Sequence, residues 1–483
     1  MIQIGDIRSK VLDTVMSRRF IYLSTFIVAL FGSLLITVIV AKRGPLIGTV
    51  LLGGLTGAGF LLVCLFNIRI GMLLIVLQSF SIFTLIRLRP DIPFGAITSI
   101  TILVTFIGIF LQRKPKTKII KSPVVIVLVI WLLYQLLQVF NPNSLSIQGW
   151  LVGLRGVFTG FLFVLVAIFA FSSRSFVILF TKFWLALAVF TAIYALKQEY
   201  FGLFEFEKVW VYSNPKVLGL STVGGRFRRW SILADVSSFG MFMAFSGLVC
   251  FVLAFGPFSV KKKLVLLLSA GIIFFAMVFS FTRTAYAMVP VGLVLFFLMN
   301  VNNKKILAVS IVSFIAGVVL IFGPFYSGPL NRIRSTFRPT EDASYAVREN
   351  NRSLIQPYIL ENPIGGGPQS TGFPGERYHP GHTLAGFPPD NFYLRTALEY
   401  GWVGLFLFLT LYATIMVLGI RGFYQVRDPT IKILYAAYIT CLFSLSIANF
   451  AQIAHGQPPL SFIVGSIYAL MYRMKEFDYN PDK

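Results

Sequence analysis

Residues 151–171, LVGLRGVFTGFLFVLVAIFAF, decide what kind of protein this is. They form a continuous apolar run whose one charged side chain is Arg155. A helix needs about 20 apolar residues in a row to cross the hydrocarbon core of a bilayer, and this run is long enough. Similar runs recur along the whole chain. The sequence therefore predicts an all-α polytopic membrane protein.

The composition agrees with that fold class. Of the 483 residues, 57% are hydrophobic and only 12% are charged, whereas a soluble domain has about 25% charged residues. The mean hydropathy is +0.81. The formal net charge of +24 does not indicate nucleic-acid binding, because lysines and arginines in cytoplasmic loops of a membrane protein account for most of such an excess.

Fourteen apolar segments stand out, of which we expect 12 to 14 to cross the membrane within a single integral membrane domain, 1–483. They lie at about 20–41, 46–66, 70–86, 94–111, 123–140, 151–171, 176–196, 236–255, 264–280, 284–299, 306–323, 400–420, 431–449 and 458–472.

The loops between these segments indicate their sides. With fourteen spans, nearly all clusters of basic residues fall on the side of the N-terminus, which should be cytoplasmic. Lys42 and Arg43 alone favour the opposite side. We therefore expect a protein of the cytoplasmic (inner) membrane with both termini in the cytoplasm. The agreeing clusters are 113–121, Arg174, 261–263, 304–305, 421–427 and 473–475.

Two long loops then face outward, at 197–235 and 324–390. The second is far longer than ordinary connections, which indicates a functional or partly folded element. Within it, SYAVRENNRSLIQPYILEN (344–362) predicts a short helix that is broken or kinked near Pro357, followed by the turn-rich PIGGGP at 363–368.

Few residues of this chain suit metal or redox chemistry. The three cysteines lie in apolar runs without a CxxC pair, and the three histidines have no HExxH spacing, so we expect no disulfide, metal site or cofactor. The N-terminal segment lacks the features of a cleaved signal peptide. Two histidines, His379 and His382, lie together in ERYHPGHTLAGFPPDN (376–391).

Arginines concentrate on the outer side, where the positive-inside rule predicts few cations. The 324–390 loop has six of them, and no lysine, balanced by six acidic residues. They could form solvated surface pairs, or they could bind phosphate, whose oxygens match the planar guanidinium fork. These arginines are Arg332, Arg334, Arg338, Arg348, Arg352 and Arg377.

Further arginines from distant parts of the chain reach the same outer level. Arg155 lies about one turn inside its span, and Arg283 lies in a tight outer turn. Arg155 could be an interface anchor and Arg283 a helix cap, but their convergence favours a shared anionic ligand such as a lipid diphosphate. The remaining members of this group are Arg226, Arg228 and Arg229.

Four passages carry a resemblance to the O-antigen ligase and O-antigen polymerase superfamily. They occur in the order in which that superfamily has them, and the resemblance covers about 120–475, most clearly 226–410. The passages are RFRRWSILADVSSFGMFMA (226–244), FSFTRTAYAMVPVGL (279–293), VRENNRSLIQPYILENPIGGGP (347–368) and PPDNFYLRTALEYGWVGLFLFL (388–409).

The resemblance implies a GT-C-like, metal-independent glycosyltransferase of the cell envelope. It would transfer a glycan from a polyprenyl diphosphate, such as undecaprenyl diphosphate, to an acceptor hydroxyl on the outer membrane face. Its partners would be the lipid-linked glycan donor, the glycan or lipid-glycan acceptor, membrane lipids and proteins that set chain length or flip the donor. Arg155, Arg228, Arg283 and Arg348 would bind the diphosphate. Supporting residues would be Arg226, Arg229, Arg352, Asn391 and Glu399.

The chain departs from this superfamily at one position. Many ligase-type members have a histidine just before the asparagine of the closing segment, where this chain has Asp390 before Asn391. The group that activates the acceptor could be His382, His379 or Asp390. Asp390 could equally be the N-cap of the next helix. The departure weakens the case for a ligase and leaves a polymerase open.

A transporter or flippase of lipid-linked oligosaccharide is the alternative. Fourteen spans would suit it, but transporters usually show internal repeats and a binding site at the midplane, which this sequence does not display.

Overall fold

The computed structural model describes residues 45–112, 122–223, 225–324, 334, 343–389 and 391–478. Within these ranges the chain is helical apart from one two-stranded hairpin. The first predicted span, 20–41, and the basic cluster at 113–121 lie outside the described residues. The chain divides into two compact units, Met1–Cys64 and Leu65–Lys483. In the first unit the described part is the helix that begins at Pro45.

The helices follow the apolar segments closely. Thirteen of the fourteen predicted segments coincide with a helix, with bounds that differ by up to eight residues. Among the described residues, the first twelve α-helices in chain order are α1 (Pro45–Phe66), α2 (Ile68–Leu88), α3 (Phe94–Gln112), α4 (Pro123–Leu137), α5 (Ile147–Ala170), α6 (Arg174–Tyr200), α7 (Glu205–Tyr212), α8 (Pro215–Leu220), α9 (Val236–Leu253), α10 (Val260–Val278), α11 (Arg283–Met299) and α12 (Lys304–Phe322).

The other elements complete the fold. A hairpin of β1 (Thr222–Val223) and β2 (Arg226–Phe227) lies between α8 and α9, and short 3₁₀ turns follow α4 and the last helix. The remaining helices are α13 (Ala343–Glu361), α14 (Gly372–Tyr378), α15 (Phe392–Gln425), α16 (Pro429–Ala448) and α17 (Leu460–Arg473).

Eight helices of the described residues are long and apolar enough to cross a membrane: α2, α3, α4 with its 3₁₀ turn, α5, α6, α9, α15 and α16. Eight such helices indicate a multi-pass membrane protein. The number of spans in the whole chain stays a prediction.

Two helices form the centre of the bundle. In α9, 16 of 18 residues are buried, and α16 is buried along most of its length. Polar side chains join them to α6: Trp184 donates to the Ser246 hydroxyl over 3.1 Å, and the Thr181 and Tyr438 hydroxyls are 2.6 Å apart. Because lipid offers no hydrogen bonds, such pairs fix how membrane helices pack.

The two long loops contain folded elements. The 197–235 loop contains α7, α8 and the hairpin, which pack around the buried Trp230. In the 324–390 loop, α13 continues through Pro357 to Glu361, so the helix is present but the expected break is not. The next long helix begins at Phe392, eight residues before the predicted span, and changes direction at Gly401 (φ 65°).

Candidate functional site

The turn between α10 and α11 places Arg283 at the first position of α11. The turn is tight: Phe281 has a left-handed backbone (φ 49°), a conformation that is rare and costly for a bulky residue. Helix N-termini attract anions and disfavour cations, so Arg283 adds positive charge where the helix dipole is already positive. This end of α11 is therefore suited to bind an anion.

Arg228 ties the hairpin to that turn. Its Nε donates to the Ser280 carbonyl over 2.9 Å, and one terminal nitrogen donates to the Thr282 hydroxyl over 3.1 Å. The other terminal nitrogen donates to the Leu220 carbonyl over 3.1 Å. Since Thr282 directly precedes Arg283, the structure brings two of the four predicted diphosphate ligands to one turn.

The flanking arginines of the hairpin have different environments. Arg229 donates through Nε to Glu199 over 2.7 Å, and its backbone N–H bonds to the Phe279 carbonyl over 2.9 Å. Both side chains of that ion pair are largely buried. Arg226, at the start of β2, is exposed. Arg229 thus fixes the hairpin against α6 and α10, while Arg226 presents its charge to the surroundings.

The other two predicted diphosphate ligands lie on different helices. Arg155 is an exposed residue of α5. It is two positions beyond Gly153, so it lies on the helix face opposite the one that packs against the outer loop. Arg348 belongs to α13, but its side chain lies outside the described residues. The structure therefore supports the convergence directly for Arg228 and Arg283.

Both ring nitrogens of His382 bond to the backbone. Nε2 lies 3.1 Å from the Asn143 carbonyl, and Nδ1 accepts the Leu384 N–H over 3.0 Å. A carbonyl only accepts, so Nε2 carries the proton and the ring is neutral. Burial lowers its pKa, and nearby His379 lowers it further. In this conformation the lone pair that a general base needs is already engaged.

His379 is fully buried against α5. Its Nε2 lies 3.0 Å from the Pro368 carbonyl, and a Cβ added to Gly149 would approach that nitrogen to 2.4 Å. A Cβ on Gly153 would likewise meet Pro368 at 2.6 Å. Burial lowers the pKa of His379, partly offset by the Pro368 bond and the charge of Glu399. The His379 ring thus packs against Gly149 of α5, and Pro368 of the loop packs against Gly153 one turn further along.

The closing segment is capped by Asn391. Its side chain accepts the Leu394 N–H over 2.6 Å and so forms the N-cap of α15, the role we considered for Asp390. Asp390 itself lies outside the described residues. Asn391 therefore has a defined structural role, and Asp390 stays a candidate from the sequence.

Glu399 is buried and supports the loop from α15. One carboxylate oxygen accepts from the Thr371 hydroxyl and from Arg395 Nε, the latter over 2.9 Å, and the other accepts the Gln369 N–H over 3.2 Å. A buried carboxylate held by three donors has a positioning role, because it is shielded from a substrate hydroxyl.

The PIGGGP turn fits directly against the bend of α15. The backbone N–H of Trp402 donates to the Pro363 carbonyl over 2.8 Å. A Cβ on Gly401 would lie 1.9 Å from that carbonyl oxygen, and one on Gly365 would lie 2.6 Å from the Gly401 nitrogen. Only glycine allows this approach, which fixes the loop on the helix that follows it.

A cleft of about 390 Å³ opens between α13 and the start of α15. Two predicted supporting residues, Arg352 and Asn391, line it. Apolar side chains form most of its wall, including those of Trp402, Leu405 and Phe450. The structure thus places Arg352 and Asn391 in the same cleft.

Comparison with known proteins identifies part of the chain. The family model described as O-antigen ligase matches residues 264–409, 146 of the 483 residues. That stretch includes the turn before α11, the histidine loop and all the residues that line the cleft except Phe450. Residues 264–409 are thus similar to an O-antigen ligase domain. The match confirms the superfamily resemblance and supports glycan transfer of the ligase or polymerase type in polysaccharide biosynthesis. A search of curated proteins found no match.

The described part of residues 264–409 has no cluster of metal ligands. Across the described residues of this stretch, which omit 325–333, 335–342 and 390, no three His, Cys, Asp or Glu side chains come together. His455, outside 264–409, lies 2.9 Å from the Tyr468 hydroxyl among aromatic rings. That environment gives His455 a structural role.

One further arginine has a role that the sequence did not indicate. Arg87, at the end of α2, donates to the Leu233 and Ala234 carbonyls, the latter over 3.0 Å, and its guanidinium lies 4.2 Å from the Trp210 ring centre. It anchors the outer element of α7, α8 and the hairpin to the bundle. Nothing near Arg87 in the sequence marks this role, because its partners lie more than 120 residues away.

Proposed function

We propose that this protein transfers a glycan from a polyprenyl-diphosphate carrier to an acceptor sugar hydroxyl on the outer face of the cytoplasmic membrane. The observation that carries the proposal is the O-antigen ligase match over 264–409, which includes Arg283 at the N-terminus of α11. Arg228, bonded to the same turn, supports it with a second guanidinium.

The donor chemistry explains why arginines would be sufficient for the leaving group. Breaking the bond between sugar and diphosphate leaves negative charge on the departing phosphate oxygen. Arg283, the N-terminal N–H groups of α11 and the nearby Arg228 supply positive charge there. A guanidinium stays protonated at any physiological pH, so the site needs no metal for this task. Arg348 would extend the contact to the rest of the diphosphate. Arg155 lies on the face of α5 away from the outer loop, so we assign it the role of an interface anchor, the alternative that its position in the sequence also offered.

The acceptor hydroxyl needs a group that takes its proton. His382 would have to release the Leu384 N–H before it could act as a base, and His379 would have to leave its buried position. We therefore assign both histidines to positioning the loop, and propose Asp390 as the base. The reaction forms a new glycosidic bond, releases polyprenyl diphosphate and passes the hydroxyl proton to that base.

The product can be a longer polymer or a glycan ligated to a lipid. The superfamily contains both activities, and Asp390 in place of the histidine favours the polymerase. In either case the protein would work in surface polysaccharide biosynthesis, with both termini in the cytoplasm, next to proteins that flip the donor or set chain length.

The test is the fate of the lipid-linked glycan in cells that produce Arg283→Ala. We expect surface glycan to be lost and untransferred lipid-linked units to accumulate on the outer face of the membrane. Accumulation on the inner face would instead identify a flippase and overturn the proposal. Arg89→Ala is the matched control: Arg89 is also predicted to lie on the outer side, but it forms an exposed pair with Asp91.

A further inference from the structure

We infer that the cleft between α13 and α15 binds the prenyl chain of the donor, with Arg352 at the phosphate end. The inference rests on the proposed function, because it assumes a polyprenyl-diphosphate donor. It adds a separate binding site for the lipid part of that donor.

The face of α13 that borders the cleft changes from charged to apolar along the helix. Arg352, Gln356 and Leu360 are spaced by four residues and so lie on one face, with Ile359 beside them. A cation is followed by an amide and then by aliphatic side chains. A lipid diphosphate has the same order, with anionic head first and hydrocarbon after it.

The opposite wall is apolar and rigid. Trp402 donates its indole N–H to the Ile359 carbonyl over 3.0 Å, which joins α15 to α13 and leaves the ring faces available for packing. The Tyr393 and Phe450 rings pack at 4.6 Å, and the Tyr393 hydroxyl is held by the Ser446 carbonyl over 2.9 Å. A preformed apolar wall of this kind suits a hydrocarbon chain.

The apolar rim points to a chain that enters from the membrane. Leu360 is 62% exposed, Trp402 50% and Phe450 66%. Contiguous exposed apolar side chains mark a contact with lipid or with an apolar partner. They lie where the last segment of the matched domain enters its predicted span at about residue 400.

The size and polarity of the cleft disfavour a multi-chain lipid or a sugar as its occupant. A volume of about 390 Å³ is near the lower end of the range for small-molecule sites, ~300–1,000 Å³, so it has room for part of one slender chain and not for several acyl chains. A sugar needs many hydrogen bonds, but the Asn391 side-chain oxygen already accepts the Leu394 N–H. The other lining side chains with polar groups are Arg352, Gln356, Tyr393 and Trp402, and the last two already donate to the Ser446 and Ile359 carbonyls.

The test compares the binding of a long-chain polyprenyl diphosphate with that of inorganic diphosphate to the purified full-length protein in detergent. Leu405→Trp fills the cleft with an indole. Its control is Val403→Trp, which places the same indole at an exposed position of α15 that does not line the cleft.

A second pair of variants changes only exposed residues. Leu360→Glu puts a charge at the exposed rim, and Leu354→Glu puts one at a similarly exposed position of α13 away from the cleft. If Leu405→Trp fails to fold, this pair still decides the question.

The wild type should bind the polyprenyl diphosphate more tightly than inorganic diphosphate. Leu405→Trp and Leu360→Glu should weaken polyprenyl binding by about tenfold or more, because a few buried methylenes contribute that much, and should leave inorganic diphosphate binding unchanged. Both controls should behave as wild type. Arg352→Gln should weaken both ligands.

An unchanged preference for the long chain in both cleft variants would overturn the inference. So would variants that lose binding of a soluble oligosaccharide but keep the chain preference, since the cleft would then be a sugar site. Failure of the proposed function is a different result: Arg283→Ala would transfer glycan as well as wild type, whatever the cleft variants do.

Discussion

The turn before α11 and the histidine loop both use scarce polar side chains to attach an outer segment to the helices, but with different chemical consequences. At the turn, Arg228 bonds to two backbone carbonyls and a hydroxyl. In the loop, the Nδ1 lone pair of His382 accepts the Leu384 N–H. An arginine keeps its charge whatever bonds it makes, whereas a histidine that has given up its lone pair is no longer a base. An arginine can therefore hold the structure and attract an anion at the same time, whereas a histidine bonded in this way cannot also act as a base.

The largest effect should come from the turn. Arg283→Ala should reduce glycan transfer by about 10²–10³-fold, as for the loss of one donor that stabilises developing charge. The thermal midpoint of unfolding should change little. Transfer measured in membranes with purified donor checks this, and Arg283→Lys should restore only part of the rate because an ammonium lacks the planar fork. Full activity in the alanine variant would remove the turn from the site.

In the histidine loop, the proposed base Asp390 and the positioning residue His382 should respond differently to substitution. Asp390→Asn should lower transfer by about 10²-fold, the lower end of the range for a lost general base, because diphosphate is a good leaving group. His382→Gln should keep most of the activity and lower the stability, since an amide can replace only one of the two backbone bonds. A His382→Gln protein that is stable but inactive would return the base to His382.

The contact between the loop and α5 can be tested without an activity assay. Gly149→Ala should destabilise the protein by about 1–3 kcal/mol, because its Cβ would overlap the His379 ring. In the double variant with His379→Ala the added methyl has space, so the two losses should not add. Gly156→Ala is the control, as a Cβ there meets nothing within 4 Å. Additive losses would place His379 elsewhere.

The smallest effect concerns pH. Burial lowers the pKa of both loop histidines in the folded state. The unfolded chain would bind protons near the ordinary value of about 6.5. Their contribution to stability is therefore complete above that value and is lost as the pH falls through it toward the folded-state pKa. Melting curves should show a steeper acid loss for wild type than for His379→Ala/His382→Gln, and equal slopes would contradict the buried neutral rings.

Helix positions were readable from the sequence because each span is a local apolar run. Thirteen segments match, yet α15 begins eight residues before the predicted span, because Asn391 caps an additional helical segment that the non-helical Gly401 separates from that span. Local rules also favoured a break or kink at Pro357, but α13 is not broken there and packs its Ile355 in a buried cluster with Leu398.

The candidate site was only partly readable. Arg228 and Arg283 were both singled out by residue type and side, and they do meet at one turn. The same reasoning chose His379 and His382, whose roles depend on Gly149 and Asn143, more than 200 residues away. The cleft was missed because its walls come from α13, α15 and Phe450, and nothing in the sequence marks their contact.

The most direct test of the account is a transfer assay in proteoliposomes with purified lipid-linked glycan, EDTA and equal amounts of wild type and Arg283→Ala. We expect the wild type to form the new glycosidic bond and to release polyprenyl diphosphate in the presence of EDTA. Arg283→Ala should do so at least about 10²-fold more slowly. Equal rates, or a wild type that moves the donor across the bilayer without forming a bond, would contradict it.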